Sequence, residues 1–187
     1  MMSIKPHEMT GEELLKLPMG QGERYELVEG ELRIMSPAGG AHGEVASEIG
    51  HQIHSYVRLN KLGKTFAAET GFYLQRNPDT VRAPDVAFLA KDRVPPQGLP
   101  EGFVPVVPDL VVEVVSPYDT AAEVEDKTAA WLKAGVKVVW VVYPSSHRVL
   151  VHTAPDAIQV FLEDDLLDGG EILPGFQTPV RSLFEFD

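Results

Sequence analysis

Apolar positions concentrate in two short runs, and each run carries one acid. The first is Arg82-Ala83-Pro84-Asp85-Val86-Ala87-Phe88-Leu89; the second is Pro108-Asp109-Leu110-Val111-Val112-Glu113-Val114-Val115-Ser116-Pro117. Both are β-branched, apolar and bounded by proline, the pattern of a buried strand. A carboxylate inside such a run is costly to bury unless it is paired or holds a cation. Asp85 and Glu113 are therefore the expected functional centre.

The remaining pattern predicts elements around these two strands. Thr10 and Glu13 form a capping box ahead of Leu14, Leu15 and Leu17, and Pro18 closes that helix. Strands over 24–28 and 31–35, joined by Glu29-Gly30, predict a hairpin beside the main sheet. A Gly/Pro loop over 36–41 precedes a helix over 42–60 with an apolar stripe at Val45, Ile49, Ile53 and Tyr56. His42 falls near that stripe, Glu48 at its edge, and Glu44 and His51 away from it; Gly63 is the expected stop. Residues 65–76 predict one strand, whose face with Glu69, Tyr73 and Gln75 is partly polar and either lines a cleft or meets solvent. Asn77-Pro78-Asp79 predicts a turn, and 91–108 a long loop. A second capping box, Thr120 with Glu123, starts a helix that Gly135 ends. Strands over 136–143, 148–153 and 158–162 follow, then a closing strand over 172–176 and a short helix over 180–184. Together these predict one α/β domain over residues 1–187 on a mixed central sheet.

Composition changes this picture little. Of 187 residues, 44% are hydrophobic and 24% charged, as in soluble globular proteins. No apolar run approaches the roughly 20 residues of a membrane span, and residues 1–10 lack the apolar stretch of a secretory signal. The absence of cysteine excludes disulfides and thiolate metal sites and fits a cytoplasmic protein. Charge matters more. The net charge of −12 opposes non-specific binding to nucleic acid. Residues 156–187 hold eight acids and one base, whereas 49–68 hold Arg58, Lys61 and Lys64 and no acid. That basic stretch is either a solvated helix end or, with Arg82, a guide for a phosphate backbone.

Spacing links Glu113 to Lys127. Glu113 stands about three residues before the turn, roughly 10 Å along its strand. Lys127 stands about seven residues into the following helix, again roughly 10 Å. The two therefore lie at similar height. Two carboxylates without cysteine suit a hard, oxygen-liganded ion, Mg²⁺ or Mn²⁺, and a nearby lysine suits hydrolysis of a phosphodiester. The same spacing describes a structural ion pair with no chemistry, and both readings stand at this point. His51 and His54 lack a third metal ligand, Trp131 and Trp140 read as core, and no serine-hydrolase elbow or P-loop is present.

Several segments together carry a family resemblance. They are Tyr25-Glu26-Leu27-Val28-Glu29-Gly30-Glu31-Leu32, the Ser36-Pro37 loop with His42, Ala83-Pro84-Asp85-Val86, the run 108–117, Asp126-Lys127, Gly135-Val136 and Leu173-Pro174-Gly175-Phe176. In this order they resemble the PD-(D/E)XK nuclease superfamily, and within it the Uma branch of candidate restriction endonucleases. The resemblance implies a restriction-endonuclease-like core of helix, three strands, helix and strand with a divalent ion at the acidic pair. Asp85 matches the PD aspartate and Glu113 the (D/E) position, and both would hold Mg²⁺, with the Val114 carbonyl as a further ligand. The lysine position is Val115 here, and Lys127 is the candidate replacement from the next helix. The resemblance also implies an acid from the first long helix, for which Glu48 is the candidate, while His42 points inward better and is a candidate site residue. The expected activity is metal-dependent cleavage of double-stranded DNA by a homodimer. A non-catalytic binding module on the same fold and a metal-free carboxylate-pair hydrolase are the alternatives.

Overall fold

The structure, a computed structural model, describes residues 8–18, 23–35 and 37–186. Ser36 and residues 1–7, on which parts of the loop and leader expectations fall, lie outside the described residues. Thr10 caps α1 (Gly11–Leu14) with both halves of the capping box made. The helix is shorter than expected and ends well before Pro18. Strands β1 (Arg24–Val28) and β2 (Glu31–Met35) have the expected bounds. Their turn residues Glu29 and Gly30 both take positive φ, 51° and 79°, the turn geometry that matches strand twist.

Helix α2 (Gly40–Asn60) buries Val45, Ile49, Ile53 and Val57, with His42 at its start. It ends at a left-handed Lys61, before Gly63, which instead opens β3 (Gly63–Ala67). The single strand expected over 65–76 is two strands in two sheets. After β3 the chain turns through Glu69, at φ 73°, and resumes as β4 (Phe72–Gln75). A side chain at Gly71 would lie 2.4 Å from the Phe103 ring, so the crossing needs glycine there. Phe66 and Phe72 still meet edge-on, which is why an unbroken alternation described both halves. Tyr73 lines no cleft: it is buried against Phe103, Leu14 and Leu27.

The first acidic run divides in the same way. β5 (Thr80–Arg82) pairs with β1 and β4, whereas β6 (Val86–Ala90) pairs with β3. Ala83, Pro84 and Asp85 join the two sheets, and Pro84 has no N–H with which to continue a ladder. Asp85 therefore sits at a sheet junction and not within a strand. β7 (Leu110–Val114) follows the long loop, which is anchored at Val104 by backbone hydrogen bonds to Gly71 and Tyr73.

Helix α3 (Ala121–Lys133) has the expected capping box and Gly135 at φ 101° behind it. β8 (Val138–Tyr143), β9 (Arg148–Ala154) and β10 (Ala157–Phe161) complete a six-stranded sheet in the order β10-β9-β8-β7-β6-β3. Only β7 and β8 run parallel, so the sheet is mixed. Beside it the order β2-β1-β5-β4 forms a separate antiparallel sheet, so the expected hairpin is half of a four-stranded one. The closing strand expected over 172–176 is a turn around Gly175. The true pair is β11 (Leu166–Asp168) with β12 (Gln177–Pro179), followed by a 3₁₀ turn at Val180–Leu183.

Strand alternation sets the layers. Leu110, Val112 and Val114 face α2 and pack with Ile49, Ile53 and Trp140. Val111 faces α3 and packs with Trp131 and Val139, which puts Glu113 on the α3 side. Fully burying each such aliphatic side chain contributes about 2 kcal/mol. No helix among the described residues is long and apolar enough to cross a membrane.

The other acid of the second run is structural. Asp109 is 1% exposed and accepts the Ala90 N–H at 2.8 Å. Arg93 and Lys137 stand 2.9 and 2.8 Å from its Oδ1. Burial alone would raise its pKa; Lys137, the Ala90 N–H and Arg93 outweigh that and hold it below the usual carboxylate range. A depressed pKa contributes stability above the unfolded value that is lost as pH falls through the folded one. Asp109→Ala leaves the Ala90 N–H and Arg93 without their acceptor and should cost about 2 kcal/mol in urea denaturation near neutral pH. The difference between variant and wild type should shrink as the pH is lowered below about 4.

Candidate active site

Glu113 is held by one face of α3. Lys127 and Trp131 are four residues apart and so lie above one another on the helix. Lys127 Nζ donates to Glu113 Oε2 at 2.8 Å, and Trp131 Nε1 donates to Oε1 at 2.7 Å. Glu113 and Lys127, expected from spacing at similar height, are thus in direct contact, and Trp131, read from sequence as core alone, has a polar partner as well.

Asp85 is held from the other direction. Its Oδ2 accepts the Val114 N–H at 2.8 Å, and His42 Nε2 lies 3.2 Å from the same oxygen. Its Oδ1 has only Arg24 nearby, with Nη1 at 3.8 Å. The Val114 amide lies next to Glu113 in β7, so the backbone ties the two acids together. In an extended residue the N–H and C=O leave on the same side, so the Val114 carbonyl also faces the Asp85 side.

A third acid belongs to this group. Glu26 of β1 is buried and accepts from Arg82 Nη1 at 2.9 Å and from the Ala83 N–H at 3.1 Å. Lys127 Nζ stands 3.6 Å from its Oε1. Sequence reasoning missed this role. The signal was present: alternation puts Arg24 and Glu26 on one face of β1, opposite Leu27, and both reach the acids. Arg82 is spent on Glu26 and does not join Arg58, Lys61 and Lys64, which lie at the other end of α2. Glu48 is not among the acids either; it accepts from Gln52 at 2.7 Å. His51 and His54 are exposed, and His54 pairs with Thr65.

The electrostatics separate the groups. Burial pushes Glu113 up to about 7, against the pull of Lys127. Burial alone would lower Lys127, but Glu113 and Glu26 hold it well above the usual lysine value. Burial would raise Asp85, yet His42 and the Val114 N–H keep it below the carboxylate range. The hydrogen bond to Asp85 raises His42. Three buried nitrogens here, Arg24 Nε, Arg82 Nε and His42 Nδ1, have no partner among the described residues. Among the described residues no group of three or more His, Cys, Asp or Glu converges on a metal position. The oxygen donors here that an ion could use are Asp85 Oδ1, Glu113 and the Val114 carbonyl.

Comparison with known proteins bears on this arrangement. Residues 12–181 match the family Uma2, described as "Putative restriction endonuclease". The fold resembles the crystal structure of a "putative nuclease belonging to DUF820" from Anabaena variabilis, with a TM-score of 0.78 at 24% identity. The match covers 94% of this chain and 97% of that one, and at this identity it shows the shared fold. No curated protein matches the chain.

Glu113 binds its proton more tightly folded than unfolded, so it contributes stability at low pH that is lost as pH rises toward 7. His42, raised in the fold, acts in the same direction. Urea midpoints should therefore fall between about pH 5 and about pH 8, and Glu113→Gln should remove most of the part of that fall below neutrality. An unchanged pH profile in Glu113→Gln would contradict the burial of an ionisable Glu113.

Proposed function

The chain belongs to the Uma2 family, and from that membership we propose that it is a divalent-metal-dependent nuclease hydrolysing phosphodiester bonds in double-stranded DNA. The observation that carries this reading is that Asp85 accepts the N–H of Val114, the residue after Glu113, while Lys127 Nζ lies 2.8 Å from Glu113. Val115 stands where the superfamily pattern has lysine, and Lys127 supplies an ammonium beside the same acid from α3.

The donor set fits Mg²⁺, with Mn²⁺ as a substitute. Mg²⁺ keeps several waters and takes one or two carboxylates plus substrate phosphate oxygens. Asp85 Oδ1, the least engaged carboxylate oxygen, and the Val114 carbonyl are hard donors of this kind. When bound, the ion polarises the phosphate and lowers the pKa of a bound water.

The chain's own groups do the rest. Lys127 places a fixed positive charge where negative charge grows on the phosphate. Glu26 steadies that ammonium and, through Arg82 and Ala83, the segment that carries Asp85. His42 and the Val114 N–H fix the Asp85 carboxylate. Cutting both strands of a duplex calls for two such sites, which a two-fold pair of chains would supply. One observation favours a binding module without catalysis: both Glu113 oxygens already accept hydrogen bonds.

Plasmid incubated with the protein and Mg²⁺ or Mn²⁺ should be cut, and chelation should stop the cutting. Asp85→Ala should abolish cleavage, and Lys127→Ala should slow it by about 10²–10³-fold. Adding Val115→Lys to Lys127→Ala should restore part of the rate. Equal cleavage by wild type and Asp85→Ala would remove the site assignment, and no cleavage by wild type with either ion would favour the binding module.

A further inference from the structure

A second constellation lies at the far end of α2. Arg58 and Lys61 from the end of that helix, Lys64 from β3 and Lys91 from the turn after β6 line one cavity of about 610 Å³, with Val57 and Val94. No acid lines it. None of the four cations has an ion-pair or side-chain hydrogen-bond partner among the described residues. Arg58 lies sixteen residues along α2 from His42, about 24 Å at 1.5 Å per residue, so the cavity is separate from the acid cluster.

The helix dipole accounts for cations at Arg58 and Lys61, which stand at its negative end. It does not account for Lys64 and Lys91, which other elements bring to the same concavity. Lys61 also takes φ 56°, a position that glycine fills more readily. Four unpaired cations gathered on a chain of net charge −12 raise the local potential against the field of the whole molecule. A single carboxylate would answer one of them. A group of two or three linked phosphates would answer all four, and partly exposed Val94 leaves some apolar wall for a base. The volume falls within the range of small-ligand sites.

We propose that this cavity binds a ligand carrying clustered phosphates, of nucleotide size, independently of the acid cluster. The phosphates come either from a free nucleotide or from a nucleic-acid strand, and competition separates the two sources. Calorimetric titration with tripolyphosphate, in EDTA at low salt so that no divalent ion bridges to the acids, should give saturable binding to the wild-type chain. The triple variant Lys61→Gln, Lys64→Gln, Lys91→Gln should bind roughly tenfold or more weakly, because three of the four cations are gone. The single reversal Lys91→Glu gives the same reading if the triple variant does not fold. Displacement by a duplex of about 20 base pairs assigns the phosphates to nucleic acid; displacement by a nucleoside triphosphate alone assigns them to a free nucleotide. Wild type that does not saturate, or variants that bind as tightly as wild type, would each overturn the proposal. Because no cleavage is measured, the outcome is independent of whether the acid cluster is a nuclease site.

Discussion

The arrangement around β7 depends on one buried carboxylate, Glu113, gripped at both oxygens by Lys127 and Trp131. An isolated carboxylate at this depth would be expensive, and breaking such a pair from one side is worse than never forming it. The contact therefore fixes the rotation of α3 about its axis: only one face offers both an ammonium and an indole N–H. That rotation in turn buries Trp131 against Phe72 and Val111, which closes the layer on this side of the sheet. Chemistry and packing are satisfied by the same helix face.

Glu26 extends the constraint to the smaller sheet. It ties β1 to the Arg82–Ala83 crossing and stands close to Lys127, so the hairpin, the sheet junction and α3 share one charged cluster. Three acids face Lys127, Arg82 and Arg24, with His42 at the rim. The cluster is close to balanced in charge but not in hydrogen bonds, since Arg24 Nε, Arg82 Nε and His42 Nδ1 are left without partners. Asp109 is the contrast: a buried acid in the same run whose charge is answered within the fold by Arg93 and Lys137.

Much of the architecture was legible because local rules decided it. The two capping boxes, the Glu29-Gly30 turn, the α2 stripe and the alternation in β7 each depend on residues within a few positions of one another. The pairing of Glu113 with Lys127 was legible for a related reason: a strand and the helix after it run back along each other, so two rises per residue suffice to compare heights. Where sequence reading failed, the chain changed sheets without changing its pattern. Residues 65–76 alternate through Gly71, and 82–89 form one apolar run through Pro84; neither pattern carries a label saying which sheet it joins.

The sequence by itself determined which residues are apolar on which face, where the helices start, and that two acids must be answered inside buried runs. The tertiary structure alone decided how they are answered. Glu26 lies 57 residues from Ala83 in sequence yet holds its N–H. His42 reaches Asp85 from the start of α2, and Arg82 turns toward Glu26 and away from the basic stretch at the other end of that helix. These contacts depend on the packing of two sheets against one another, a long-range arrangement that no local periodicity encodes.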